Sequence, residues 1–333
     1  MLVQSLDVFA LQTRRERALA HPLHEGDILS PSGPALDFAA VTPLPSSLTA
    51  ADAAVAAESP NPYRPANLDL RDLVIQPGGW RRLSFRLVKG ICVGEDSWAQ
   101  VWRVEVLQEG RMIGTAVLKL LVEALFWQRW PTGVWQPASE AEEAELRAYT
   151  AFRPVQGRDV PHCYGAFSFT MPWGETVTGV VLEDLTSGGD VIYGHCEDEQ
   201  AAGRYKKVEE VDELISTLYH TIHRLQRLGI TGFALRPGDV LVFPSSSCER
   251  LRLVILDFGA TTTAQEYSKR HAQLEKRVGG MGPWQSEDEI RIEALFQGLL
   301  PHAGLKWHEM ELRRDREKLH MYWRTSSRQE TEL

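Results

Sequence analysis

Hydrophobic and polar positions alternate most clearly through the middle of the chain. Residues 83–93 (LSFRLVKGICV), 98–108 (WAQVWRVEVLQ) and 115–123 (TAVLKLLVE) are rich in Val, Leu and aromatics, which predicts three strands. Glu109-Gly110 marks the turn between the second and third, so an antiparallel meander is expected. Residues 166–171 (AFSFTM) and 176–185 (TVTGVVLEDL) add two strands, for a five-stranded antiparallel unit. Between them and the meander, residues 140–152 (EAEEAELRAYTAF) place Leu146, Tyr149 and Phe152 three apart, as the inner edge of an amphipathic helix. Residues 211–228 carry Leu214, Leu218, Ile222, Leu225 and Leu228 at helical spacing, and Gly229 ends that helix. Two later apolar runs, 235–242 (LRPGDVLV) and 254–259 (VILDFG), each join a strand to a turn that carries a carboxylate. Helical patterns at 288–300 and 308–323 close the chain.

Towards the N-terminus the pattern fades. Residues 30–38 (SPSGPALDF), 42–60 (TPLPSSLTAADAAVAAESP) and 61–65 (NPYRP) are rich in Pro, Ser and Ala. Such composition rarely buries enough apolar surface to offset its ordering entropy, so residues 1–75 are expected to be a flexible arm. Within it, a short surface helix at the start and a turn or two of helix in AADAAVAAE are expected.

The 333 residues are 43% hydrophobic and 24% charged, as in ordinary globular proteins. A net charge of −9 leaves no general basic surface, which argues against nucleic acid as a partner. No apolar run approaches a membrane span, so no membrane association is expected. The opening MLVQSLDVFALQTRRER lacks a basic segment followed by an apolar core, so a cytoplasmic or nuclear protein is expected. Cys92, Cys163, Cys196 and Cys248 are far apart, which fits reduced thiols better than a disulfide framework. His162-Cys163 and His195-Cys196 are adjacent pairs without metal-ligand spacing.

The chemistry lies in charged residues set inside apolar strands. Lys119 interrupts AVLKL, Glu145 sits on the amphipathic helix, and Asp239 and Asp257 sit at strand ends. Taken with Leu235-x-Pro237-x-Asp239-Val240-Leu241 and Asp257-Phe258-Gly259, these resemble the eukaryotic protein-kinase-like family over about residues 80–307. Val155-Gln156-Gly157 and Val160-Pro161-His162-Cys163-Tyr164-Gly165 resemble small, fungal-type members of it.

The resemblance implies an α+β bilobal protein-kinase-like fold. Its N-lobe (76–185) would hold the five-stranded antiparallel sheet, and its C-lobe (186–333) would be short and helical. It implies ATP and Mg²⁺ as cofactors. Gly94 and Val101 fall at the family's phosphate loop, Gly-x-Gly-x-Φ-Gly-x-Val, together with Trp98. Lys119 and Glu145 would set the phosphates, while Glu183 and Leu185 in the hinge would offer backbone groups to the adenine. Asp257 and Asp239 would hold the metal, since carboxylate oxygens suit that hard cation.

The same comparison exposes departures. Asp96 and Ala99 replace two loop glycines, and Asp96 brings like charge towards the phosphates. Ala234 stands where the catalytic aspartate would be, Gly232 where the preceding histidine would be, and Arg236 two residues beyond Ala234. No shift of register restores the base, because no Asp or Glu occurs between Glu213 and Asp239. General-base assistance is typically worth about 10²–10⁴-fold. Three readings follow. The first is a pseudokinase that binds nucleotide and acts through binding or scaffolding. The second is a weakly active ATP-dependent protein kinase in which Asp239 or Arg236 compensates. The third is an interaction module that binds no nucleotide. The protein partner or substrate is not specified by any of these residues.

Overall fold

The computed structural model describes residues 8–34, 49–59, 61–68, 70, 79–94, 99–126, 137–186, 190–191, 208–233, 235, 237–243, 252–263, 265–266 and 269. It is a mixed fold with one large antiparallel sheet and few helices. Among these residues no helix is long and apolar enough to cross a membrane.

In chain order the first elements are α1 (Val8–Ala20), β1 (Ile28–Leu29), β2 (Pro31–Pro34) and α2 (Ala50–Ala57). Next come β3 (Leu83–Cys92), β4 (Gln100–Gln108), β5 (Arg111–Leu121) and α3 (Glu123–Phe126). Then follow α4 (Ala138–Ala151), β6 (Cys163–Thr170) and β7 (Thr176–Glu183). The large sheet runs β1-β3-β4-β5-β7-β6-β2.

The meander forms as its alternation requires. Leu83, Phe85 and Leu87 of β3, and Val104 and Val106 of β4, face one core with Leu118 and Leu120 of β5. The turn at Glu109-Gly110 has φ of 52° and 81° at its two central residues. That is the primed geometry that follows the twist of a two-residue hairpin.

Two corrections concern the sheet. It has seven strands where five were expected, and both additions come from the segment read as a flexible arm. β1 pairs with β3 and β2 pairs with β6, so residues of 1–75 supply both edges. α1 packs on α3, with Arg14 paired to Glu123 at 3.1 Å. α2 starts at a capping box between Thr49 and Asp52, which satisfies free N–H groups of the first turn. The segment also buries apolar side chains: Ala18, Leu29, Leu68 and Leu70 join the core of the large sheet, and Ala56 joins the core around α4. These apolar residues are scattered singly in and around the Pro-, Ser- and Ala-rich stretches, so composition alone did not show that they are buried.

A second layer completes the frame. It comprises β8 (Asp190–Val191), α5 (Val208–Arg227), β9 (Ile230–Thr231), β10 (Val240–Phe243), β11 (Arg252–Ile255) and β12 (Thr262–Thr263). β10 lies between β11 and β8, and β12 pairs with β9. Leu214, Leu218, Ile222 and Leu225 of α5 share a core with Tyr149 of α4, with Phe152 just after it, and with Val240, Leu253 and Ile255. That shared core fixes α4, and with it Glu145, against the β10–β11 hairpin. The patterns read at 288–300 and 308–323 lie outside the described residues.

Candidate functional site

Lys119 enters the site because β5 is buried on both faces at that point. Its partner across β4 is Val101, so the two residues share one face of the sheet. The ammonium is almost fully enclosed, yet it meets two carboxylates. Its Nζ lies 2.8 Å from Glu145 Oε2 and 2.7 Å from Asp257 Oδ1. An isolated buried charge is costly, and pairing with hydrogen bonding is what makes it tolerable.

Glu145 does more than hold the lysine. Its Oε2 also accepts the backbone N–H of Phe258 at 2.9 Å, so one carboxylate oxygen ties α4 to both β5 and the turn after β11. Burial pushes the Glu145 carboxyl up, opposed by the Lys119 charge and the Phe258 N–H. Burial also pulls the Lys119 ammonium down, but Asp257 and Glu145 more than reverse this and hold it above its ordinary value. Lys119 therefore stays charged.

Asp257 adopts φ 58°, a left-handed conformation that Asp tolerates better than most residues. The turn is closed locally by Gly259 N–H donating to Asp257 Oδ1 at 3.2 Å. Phe258 points the opposite way into the core. Its ring contacts Tyr149 and Phe152 edge-on, with centroids 5.2 and 5.0 Å away, and Phe233 at 6.3 Å. A buried phenylalanine thus pins the aspartate beside it.

Asp239 lies at the same end of the β10–β11 hairpin. Val240 pairs with Ile255, and the Asp239 carbonyl accepts Leu256 N–H at 2.7 Å. Among the described residues there is no group of three or more His, Cys, Asp or Glu arranged to hold a metal. A carboxylate has about four lone-pair sites, so Asp257 keeps capacity beyond the lysine and the Gly259 N–H. Two carboxylates at one hairpin end are the donor chemistry that a hard divalent cation takes.

Gly94 has φ 118°, and the Gln100 side chain closes the loop base by bonding both its N–H and its carbonyl, at 3.0 and 2.8 Å. Val101 packs beside Ala99, Leu121, Ala138 and Ala141. Asp96 and Trp98 lie outside the described residues.

At the end of β7, in the segment read from the sequence as a hinge, Leu185 packs with Leu241, Phe243 and Val254. The Glu183 carboxylate turns away to Arg64, with bonds of 3.0 and 3.2 Å, and its N–H donates to the His162 carbonyl. Asp184 between them is held below its ordinary range: burial opposes this, but bonds from Thr186 and Arg103 prevail.

Ala234 and Arg236 lie outside the described residues. Their neighbour Gly232 has φ 73°, and a Cβ there would come 3.0 Å from the Thr262 methyl. A side chain at this position is disfavoured by both backbone and space. Phe233, next in the chain, stacks on Phe152 with centroids 6.4 Å apart.

Sequence reasoning missed Gln100 and Arg64. Gln100 left a signal, a polar residue inside a strand beside a glycine turn. Arg64, in NPYRP, left none.

Compared with known proteins, the chain matches no family model and no curated protein. A solved structure of the PknI kinase domain of Mycobacterium tuberculosis, a double mutant, is similar at 14% identity and a TM-score of 0.35. The likeness covers 54% of this chain and 59% of that one, so the chain spans less than two thirds of its length.

Proposed function

We propose that this chain is a protein-kinase-like, nucleotide-binding protein of the compact fungal type, catalytically impaired and acting through binding or scaffolding. The observation that carries this reading is the enclosed contact of Lys119 with both Glu145 and Asp257. Three residues from a strand, a helix and a strand end meet there, in the order the sequence resemblance implies.

In this reading Lys119 binds phosphate oxygens and Glu145 orients it. Glu183 and Leu185 offer backbone groups to the base, with Leu241 beneath. Gly94 and Val101 cover the nucleotide. Asp257 and Asp239 would hold Mg²⁺, which when bound neutralises phosphate charge. The chain's own residues bind and orient, but Ala234 supplies no carboxylate to take an acceptor proton.

A second reading, slow phosphoryl transfer, draws on the same assembled clamp. Positioning and charge stabilisation supply most of the catalysis in such reactions.

The test is thermal unfolding with millimolar ATP and Mg²⁺. Saturation at about 100 times Kd adds about 2.7 kcal/mol and raises Tm. Asp257→Ala should remove the gain. An unchanged wild-type Tm would leave only an interaction module without nucleotide. A radiolabelled transfer assay separates the pseudokinase from the slow enzyme.

A further inference from the structure

Residues 56–59 and 61–64 bond to the loop before β6, to the end of β7, to α5 and to β11. Arg64 is the centre. Its guanidinium bonds both Glu183 oxygens, at 3.0 and 3.2 Å, and the carbonyl of Arg158 at 3.1 Å. Its N–H donates to Gly157 O at 2.7 Å, and its carbonyl lies 2.7 Å from His162 Nε2. The same guanidinium lies 5.9 Å from the Phe243 ring centroid, and Phe243 packs with Leu185. One arginine thus contacts the end of β7 and the end of β10.

A second anchor lies a few residues earlier. Ser59 Oγ and Asn61 Nδ2 donate to Asp159 Oδ1 at 2.7 and 2.8 Å, and Asn61 also donates to Leu253 O. Asp159 is fully buried and pairs with Arg224 of α5 at 2.9 Å, while its carbonyl accepts Ile255 N–H. A third set joins Arg158 to the Ala56 carbonyl and Glu58 to Arg227.

The path is built for close approach. Gly157 has φ 73°, and a Cβ there would lie 2.3 Å from His162 Nε2 and 2.6 Å from the Arg64 carbonyl.

We propose that residues 56–59 and 61–64 form a brace that sets the segment Glu183–Leu185, and that Arg64 is a positioning residue for the base-binding edge there. The brace holds α5, β11 and the end of β7 in one arrangement, so the adenine-facing backbone is preorganised before nucleotide arrives. The second half of this statement rests on the nucleotide reading above; the first half does not.

Two measurements on the full chain keep them apart. Without nucleotide, Arg64→Ala should speed amide hydrogen exchange at residues 182–186 by about tenfold while β3 and β4 keep their protection. Arg64→Lys retains charge and stem but not the planar fork. It gives the same readout if Arg64→Ala does not fold. Unchanged exchange at 182–186, or equal acceleration through the whole large sheet, would overturn the brace.

With nucleotide, Arg64→Lys should weaken ATP binding about tenfold and leave inorganic tripolyphosphate unchanged, because only the base reaches the hinge. Equal weakening of both would overturn the positioning role. Wild-type failure to bind ATP would overturn the nucleotide reading and, with it, the positioning role. The exchange result would still decide the brace.

Discussion

The two walls of the candidate site differ in how their chemistry is tied to folding. On the wall read as the phosphate side, Lys119, Glu145 and Asp257 form one enclosed charge network. Removing Lys119 leaves the buried Glu145 carboxylate without its cation. On the wall read as the acceptor side, residues 232–235 carry no carboxylate, and Phe233 there serves as a core side chain in contact with Phe152 and Phe258. A catalytic carboxylate at a cleft contributes little to stability, so its absence costs the fold almost nothing. An intact clamp therefore reports on folding as much as on nucleotide use. The acceptor side is the one that reports on catalysis.

The largest effect that could break this comparison is on stability. Lys119→Ala would leave the buried Glu145 carboxylate facing the part-exposed Asp257 without their shared cation, and should cost about 3–5 kcal/mol in urea unfolding. A loss below about 1 kcal/mol would mean that the network is solvated, and the contrast between the walls would fail.

Acid should act on the acceptor side through α5. Burial, with His220 nearby, lowers His223 from its ordinary 6.5 to about 4. The unfolded chain therefore binds a proton between these values that the folded one refuses. Stability is full above pH 6.5 and falls by about 2–3 kcal/mol as pH drops to 4. His223→Gln should flatten the stability–pH curve over that window. An unchanged slope would assign the acid sensitivity elsewhere.

Packing on the acceptor side sharpens the contrast. Phe233→Leu removes the stack on Phe152 and part of the cluster around Phe258, and should cost about 1–2 kcal/mol. Nucleotide-induced stabilisation should fall with it if Phe258 sets Asp257. Unaltered nucleotide response would mean that Asp257 is held by Lys119 and Gly259 alone.

The smallest effect concerns the missing base. Ala234→Asp by itself should change ATP turnover by no more than about tenfold, or about 1.4 kcal/mol of barrier. Gly232, two residues before Ala234, has φ 73° and would bring a Cβ 3.0 Å from the Thr262 methyl, so this stretch is poorly suited to present a second polar side chain beside an introduced carboxylate. Adding Asp96→Gly should do better than the single change. A rise of a hundredfold or more from Ala234→Asp alone would show an acceptor side already preorganised, and the two walls would then be alike.

Much of the frame was legible because its signals are local. The alternation in 83–93 and 98–108 gave β3 and β4, and Leu146, Tyr149 and Phe152 turned inward together. Lys119 and Glu145 could be picked out because a charge inside an apolar run must find a partner, and these two meet. The attachments of residues 1–75 were not legible because the buried apolar residues there, such as Leu29, Leu68 and Leu70, are isolated in the sequence and the polar anchors have distant partners. Asn61 and Arg64 are single side chains in a proline-rich stretch, and nothing local tells that pockets await them.

By itself, the sequence determined the strands of the meander, the helices that carry Glu145 and Leu214–Leu225, the turn at Glu109-Gly110, and that no carboxylate stands between Glu213 and Asp239. Period, turn chemistry and residue identity are properties of short stretches. Only the tertiary structure decided that Asp257 joins Lys119 across 138 positions, and that Arg64 closes on Glu183 across 119. Such contacts depend on which faces meet after the core has formed. The entropy of closing a loop grows only slowly with its length, so sequence separation gives no warning of them.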